Sequence, residues 1–172
     1  IADYAYKNNM PLEFICINSN NNINHELKLL NYNSSYLPPN IEIRDPVINS
    51  FDLFNEINIL LIPSLWHESG SRLIYEAYSF SIPVIGFNTG GTPELIGKFT
   101  KNIFQSPKVY FDTNNILRVY KWNPKDICNR ILYLSENYEN ESSKIESYFK
   151  SLNLDSTCNK KLNEIIDFVE NS

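Results

Sequence analysis

The sequence predicts an α/β domain: a Rossmann-like, doubly wound parallel sheet with helices on both faces. Three observations predict it. Short continuous apolar runs alternate along the chain with longer stretches of helical spacing. The two clearest runs, NILLI at 58–62 and PVIGF at 83–87, are too uniformly apolar for a sheet with one wet face. Each is followed within a few positions by small or polar residues that open a helix, as right-handed βαβ crossovers require.

The elements are read in order. Residues 1–9 carry the tail of a helix and 12–17 a buried strand. The Asn-rich tract 18–24 reads as a solvated loop, and 25–30 as a short helix. After Pro38-Pro39 come a brief strand at 41–44 and a short helix at 50–56, with Ser50 as candidate N-cap. The run 58–62, stopped by Pro63-Ser64, suits a central strand covered on both faces. Residues 70–79 have helical spacing, with Leu73, Ala77 and Phe80 on one stripe. A strand at 83–87 leads to a helix opened by Thr92 as N-cap and Pro93 at N1. A weak last strand follows at 109–111. Helices are expected at 124–137, 141–149 and 157–170, the last with Leu162, Ile165, Ile166 and Val169 on one face.

Composition narrows the function classes. A chain of 172 residues is long enough to build one core without disulfides or metal. A formal net charge of −5 argues against wrapping nucleic acid by charge alone. No apolar run approaches the roughly 18 residues of a membrane helix. Cys16, Cys128 and Cys158 are scattered and form no CxxC pair, which favours a reducing, cytoplasmic compartment. The abundant Asn is a matter of composition rather than of chemistry.

Open parallel sheets bind ligands at the carboxyl ends of their strands. Two segments qualify. The first runs from Pro63 to Ala77. Ser69, Gly70 and Ser71 leave backbone N–H groups free at a helix start, a phosphate-sized site. Arg72 either adds a fork of donors for a diphosphate or points outward as an ordinary helix residue. Glu68 and Glu76 bracket the turn. Eight helical positions would separate them by roughly 12 Å, too far to share a proton but suited to a long ligand. They are either acceptors for vicinal hydroxyls or a helix-dipole acid and a surface residue. The second segment is Phe87 to Glu94. Its Gly90-Gly91 pair permits positive φ or close approach to a ligand, and a tight turn without a ligand explains it equally well. His67 reads as a loop residue rather than a base, and Trp66 as a packing residue.

Together these residues carry a resemblance. The stretch PSLWHESGSRLIYEAYSFSIPVIGFNTGGTPELIG resembles the donor domain of GT-B glycosyltransferases, most closely the retaining family 4, or group 1. The shared features are E-x7-E from Glu68 to Glu76 after a strand ending in Pro-Ser, then Glu-Ala, Pro-Val-Ile and a Gly-Gly-x-Pro-Glu turn. The chain departs from the family at Ser69-Gly70-Ser71-Arg72, where Gly-Phe-Gly-Leu is usual, and so carries a charge in place of Leu.

The resemblance implies transfer of a sugar from a nucleotide-diphosphate sugar with retention at the anomeric carbon. Glu68 would be the catalytic residue, holding the sugar hydroxyls. Glu76 would bind the ribose, and the amides of Ser69, Gly70, Ser71, Arg72 and Leu73 the diphosphate, with Gly90 and Gly91 lining the site. No D-x-D pair or His/Cys cluster is present, so neither metal nor cofactor is expected. The acceptor (glycan, lipid or small molecule) would bind a separate N-terminal domain, which would also make any peripheral membrane contact. Residues 1–172 would form most of the donor domain, with 124–172 its helical end and its first strand upstream of Ile1. The fragment alone would then be inert. Two other readings stay open: a GT-B-like nucleotide-sugar epimerase, and a non-catalytic Rossmann-type interaction module.

Overall fold

The computed structural model describes residues 1–17, 37–46, 50–113, 117–119 and 122–153. In chain order these form α1 (Ala2–Lys7), β1 (Phe14–Ile17), β2 (Ile41–Arg44), α2 (Ser50–Phe54), β3 (Leu60–Ile62) and α3 (Leu73–Ser79). Then come β4 (Val84–Phe87), α4 (Thr92–Ile96), a 3₁₀ turn (Thr100–Asn102), β5 (Ile103–Phe104), β6 (Val109–Phe111), β7 (Leu117–Val119), α5 (Lys125–Glu136) and α6 (Tyr138–Ser151). The expected loop at 18–24 and the helices at 25–30 and 157–170 lie outside the described residues.

The α/β architecture is as the sequence predicts. β1 and β2 pair in parallel from Phe14 opposite Ile41 to Ile17 opposite Arg44. β3, β4 and β5 form a second parallel sheet in that order, with Leu60 opposite Val84 and Gly86 opposite Ile103. The expected strand at 109–111 is present as β6. It pairs antiparallel with β7, apart from the parallel sheet, and its side chains are exposed. The third parallel strand is the two-residue β5, too short to leave a periodic signal.

Strand β4 shows why helices cover both faces. All four of its residues are buried, and their side chains alternate across the sheet. Val84 packs with Ile74 and Ala77 of α3, Ile96 of α4 and Ile145 of α6. Ile85 and Phe87 pack with Ala5 of α1 and Ile127, Ile131 and Leu134 of α5. Each fully buried side chain of this size stabilises the fold by roughly 1.5–3 kcal/mol. The run at 58–62 was expected to be a central strand. Among the described residues that place belongs to β4, because β3 has a strand neighbour on one side only.

Two helices differ from expectation in a way that bears on the site. The helix at 70–79 begins only at Leu73, and its buried residues are Ile74, Ala77 and Tyr78. Leu73 is exposed, so the buried stripe is one residue out of phase with the expected one. Tyr78 carries the difference: it packs edge-on against Phe99 and Tyr148, and its hydroxyl donates to the Ile96 carbonyl at 3.1 Å. The second helix starts at Thr92 with Gly91 as the N-cap residue. The Thr92 side chain makes no cap; its hydroxyl is buried without a partner among the described residues.

Candidate functional site

The two strand-end segments meet at the carboxyl edge of the β3–β4–β5 sheet. The join is made largely of backbone. Gly91 N–H donates to the Glu68 carbonyl at 2.9 Å. Gly90 has φ +50°, and a Cβ there would overlap the Glu68 backbone. A Cβ at Gly91 would overlap the Ser69 carbonyl oxygen. Gly70, at φ +126°, lies against Leu95 of α4 so closely that a Cβ would overlap its Cδ1. The glycines therefore permit an approach of two backbones that no side chain would allow. Thr89 adds a third tie, its Oγ1 donating to the Ser64 carbonyl at 2.9 Å.

His67 belongs to this join. Its Nδ1 accepts the Gly90 N–H at 3.3 Å. Sequence placed His67 in a loop but offered no sign of its partner, since the contact spans 23 positions. Trp66 corrects the sequence reading: it is 71% exposed, not a packing residue.

Glu68 and Ser69 are exposed, and Gly70 and Ser71 are half-buried. Among the described residues no hydrogen bond uses the amide N–H of Ser69, Gly70, Ser71, Arg72 or Leu73. Since α3 begins at Leu73, the span from Glu68 to Glu76 is loop followed by one turn of helix. The roughly 12 Å rise of a continuous helix does not apply to it. Glu76 sits in the first turn of α3, where Arg72 Nε lies 3.1 Å from its Oε1 across one turn. The Arg72 side chain is 90% exposed. It is thus outward-pointing and paired with the other residue predicted to bind ligand. Among the described residues no group of three or more His, Cys, Asp and Glu is gathered as a metal site would need.

The fold is similar to that of two solved structures. A glycosyltransferase from Rickettsia africae ESF-5 superposes with a TM-score of 0.69 at 19% identity, over 99% of this chain and 44% of that one. TarM superposes with a TM-score of 0.66 at 17% identity, over 94% of this chain and 30% of that one. The chain spans less than half the length of either. No protein-family model matches it, and no curated protein does.

Proposed function

We propose that this chain is the donor-binding part of a retaining glycosyltransferase that uses a nucleotide-diphosphate sugar. One observation carries the reading. The segment bearing Glu68 and Glu76 and the segment bearing Gly90-Gly91 are locked together by the Gly91 to Glu68 hydrogen bond, at the sheet edge where such folds bind ligands. The likeness in fold to two longer chains, one of them a glycosyltransferase, and the ordered E-x7-E pattern support it.

In this reading Glu68, exposed beside the turn, accepts hydrogen bonds from the donor sugar and stabilises positive charge at its anomeric carbon. The unspent amides from Ser69 to Leu73 hold the diphosphate, and Arg72 exchanges Glu76 for a phosphate oxygen. Glu76, released, accepts the ribose hydroxyls. Gly90 and Gly91 line the site. The bond from the anomeric carbon to the diphosphate oxygen breaks through an oxocarbenium-like state, and the electron pair leaves with the diphosphate. Amide dipoles already oriented at the departing charge lower the barrier. The acceptor oxygen bonds on the same face of that carbon, giving retention, and its proton passes to the departing diphosphate oxygen. No metal, cofactor or nucleic acid enters this scheme.

The acceptor, a glycan, lipid or small molecule, binds a second domain, which makes any peripheral contact with a membrane from the cytoplasmic side. Among the described residues no helix is long and apolar enough to cross a membrane. A further parallel strand would fit between β1 and β3. Each of those has one strand neighbour among the described residues, while Phe14 of β1 and Leu61 of β3 pack on the same core.

Calorimetry of the full-length protein against UDP-, GDP- and ADP-sugars tests the proposal. Saturable binding to one of them, lost in Glu76→Ala, is expected. A well-folded protein that binds none of them, or binds identically after Glu76→Ala, would sink it.

A further inference from the structure

Charge is unevenly placed on this acidic chain. Four cations, Lys98, Lys101, Arg130 and Lys144, line one recess of about 270 Å³ together with Tyr133 and a single carboxylate, Glu141. The recess lies at the amino edge of the β3–β4–β5 sheet: Lys101 is in the 3₁₀ turn that runs directly into β5, and Lys98 follows the end of α4. The segments carrying Glu68 and Gly90 are at the opposite edge.

The four cations are held in two ways. Glu141 is 6% exposed; its Oε1 takes Lys144 Nζ at 2.6 Å and its Oε2 lies 3.5 Å from Arg130 Nη2. Arg130 Nε donates to Oδ1 of buried Asn102 at 2.8 Å, and its guanidinium lies 4.5 Å from the Tyr133 ring centroid. Arg130 is therefore fixed in place, while no hydrogen bond among the described residues uses its Nη1. Lys98 Nζ lies 4.8 Å from the Tyr148 ring centroid. Neither Lys98 nor Lys101 has a carboxylate within 4.0 Å among the described residues, and both are exposed.

A structural clamp between α5 and α6 accounts for Glu141, Arg130 and Lys144. It does not account for two more cations at the same recess, where like charges repel. An anion would turn that repulsion into attraction, and Arg130, held at Nε by Asn102 and at Nη2 by Glu141, keeps Nη1 in a fixed position for a phosphoryl oxygen. The volume is at the low end for a small-molecule pocket, enough for phosphoryl groups rather than a whole nucleotide sugar.

We propose that this recess binds a multiply charged phosphate group, a phosphomonoester or diphosphate, carried by a free metabolite or a phospholipid headgroup. Arg130 takes a phosphoryl oxygen from the buried side. Lys98 and Lys101 close on it from solvent, and Lys144 shares its charge between Glu141 and the ligand.

Inorganic pyrophosphate, titrated calorimetrically into the full chain at low salt, tests the site alongside flotation on phosphatidylcholine vesicles with and without phosphatidic acid. Saturable pyrophosphate binding or phosphatidate-dependent flotation is expected. The Lys98→Gln/Lys101→Gln variant should weaken either by about tenfold or more, one charge-assisted bond's worth, while Lys7→Gln, an exposed cation of α1 outside the recess, leaves it unchanged. Pyrophosphate binding alone assigns a free ligand, and flotation alone a headgroup. Binding to neither probe, equal binding by the lysine variant, or an equal loss in Lys7→Gln would overturn the proposal.

Discussion

Gly91 and Glu68 stand 23 positions apart in sequence, yet the amide of one donates to the carbonyl of the other at 2.9 Å. That bond fixes the loop after β3 against the turn after β4, and it sets where the Glu68 side chain leaves the backbone.

The first prediction tests this contact. Gly91 has φ −81°, which any residue can adopt, so Gly91→Ala brings no backbone strain of its own. Its Cβ would overlap the Ser69 carbonyl, and the two loops must part. A loss of about 2 kcal/mol is expected in urea unfolding, in the range of overpacking, together with loss of nucleotide-sugar binding. A melt equal to wild type would show that the loops are not in contact.

Arg72 and Glu76 separate stability from binding. Their ion pair is on the surface, with Arg72 90% exposed, and such helical pairs contribute only about 0.3–0.5 kcal/mol. Arg72→Ala should therefore leave thermal unfolding almost unchanged. If donor affinity nevertheless falls about tenfold, the guanidinium acts on the ligand, since one charge-assisted hydrogen bond has that worth. A large drop in melting temperature would contradict the exposed placement.

Tyr78 makes stability depend on pH at the alkaline end. Burial, with smaller contributions from Tyr148 and Tyr75, pushes its phenol well above the ordinary tyrosine range. A folded-state pKa raised above the unfolded value favours folding fully below the ordinary value, about 10. That contribution declines as pH rises from there toward the folded-state pKa. Chemical denaturation from pH 8 to 11 should show stability falling above about pH 10, more steeply than in Tyr78→Phe. At neutral pH the same substitution removes the bond to the Ile96 carbonyl and should cost about 1 kcal/mol. Parallel slopes for the two proteins would refute the assignment.

Thr92 gives a substitution expected to be harmless. Its hydroxyl is fully buried and unpartnered, while its methyl lies near Gly86, close enough that a Cβ there would approach it to 2.6 Å. Thr92→Val keeps the shape and removes a desolvated polar group, so stability should be unchanged or rise by up to about 1 kcal/mol. A loss beyond about 1 kcal/mol would mean that the hydroxyl has a partner.

The candidate site was legible in part. E-x7-E and the Gly-Gly turn are local patterns, and both stand where strands β3 and β4 end. The Arg72–Glu76 pair, four positions apart on one helix face, was open to sequence reasoning but was not drawn from it. The tie from His67 to Gly90 was not legible, because nothing local distinguishes a loop histidine with a partner 23 positions away. The recess of four cations was hidden for the same reason. Lys98, Lys101, Arg130 and Lys144 come from three separate segments, and only their folding against one another makes them neighbours.

Sequence by itself determined the α/β class, strands β2 and β4 almost to the residue, the long helix α5 and the two glycine-bearing loops. Those are properties of apolar runs, of 3.6-residue spacing and of turn chemistry, all written within a few neighbouring positions. Tertiary structure alone decided which strand lies at the middle of its sheet and which face of α3 is buried. It decided equally that β6 and β7 pair apart from the parallel sheet. A helix of seven residues offers two nearly equivalent apolar stripes, and the choice fell to the one that seats the Tyr78 ring between Phe99 and Tyr148. Burial against distant partners outweighs local periodicity wherever the element is short.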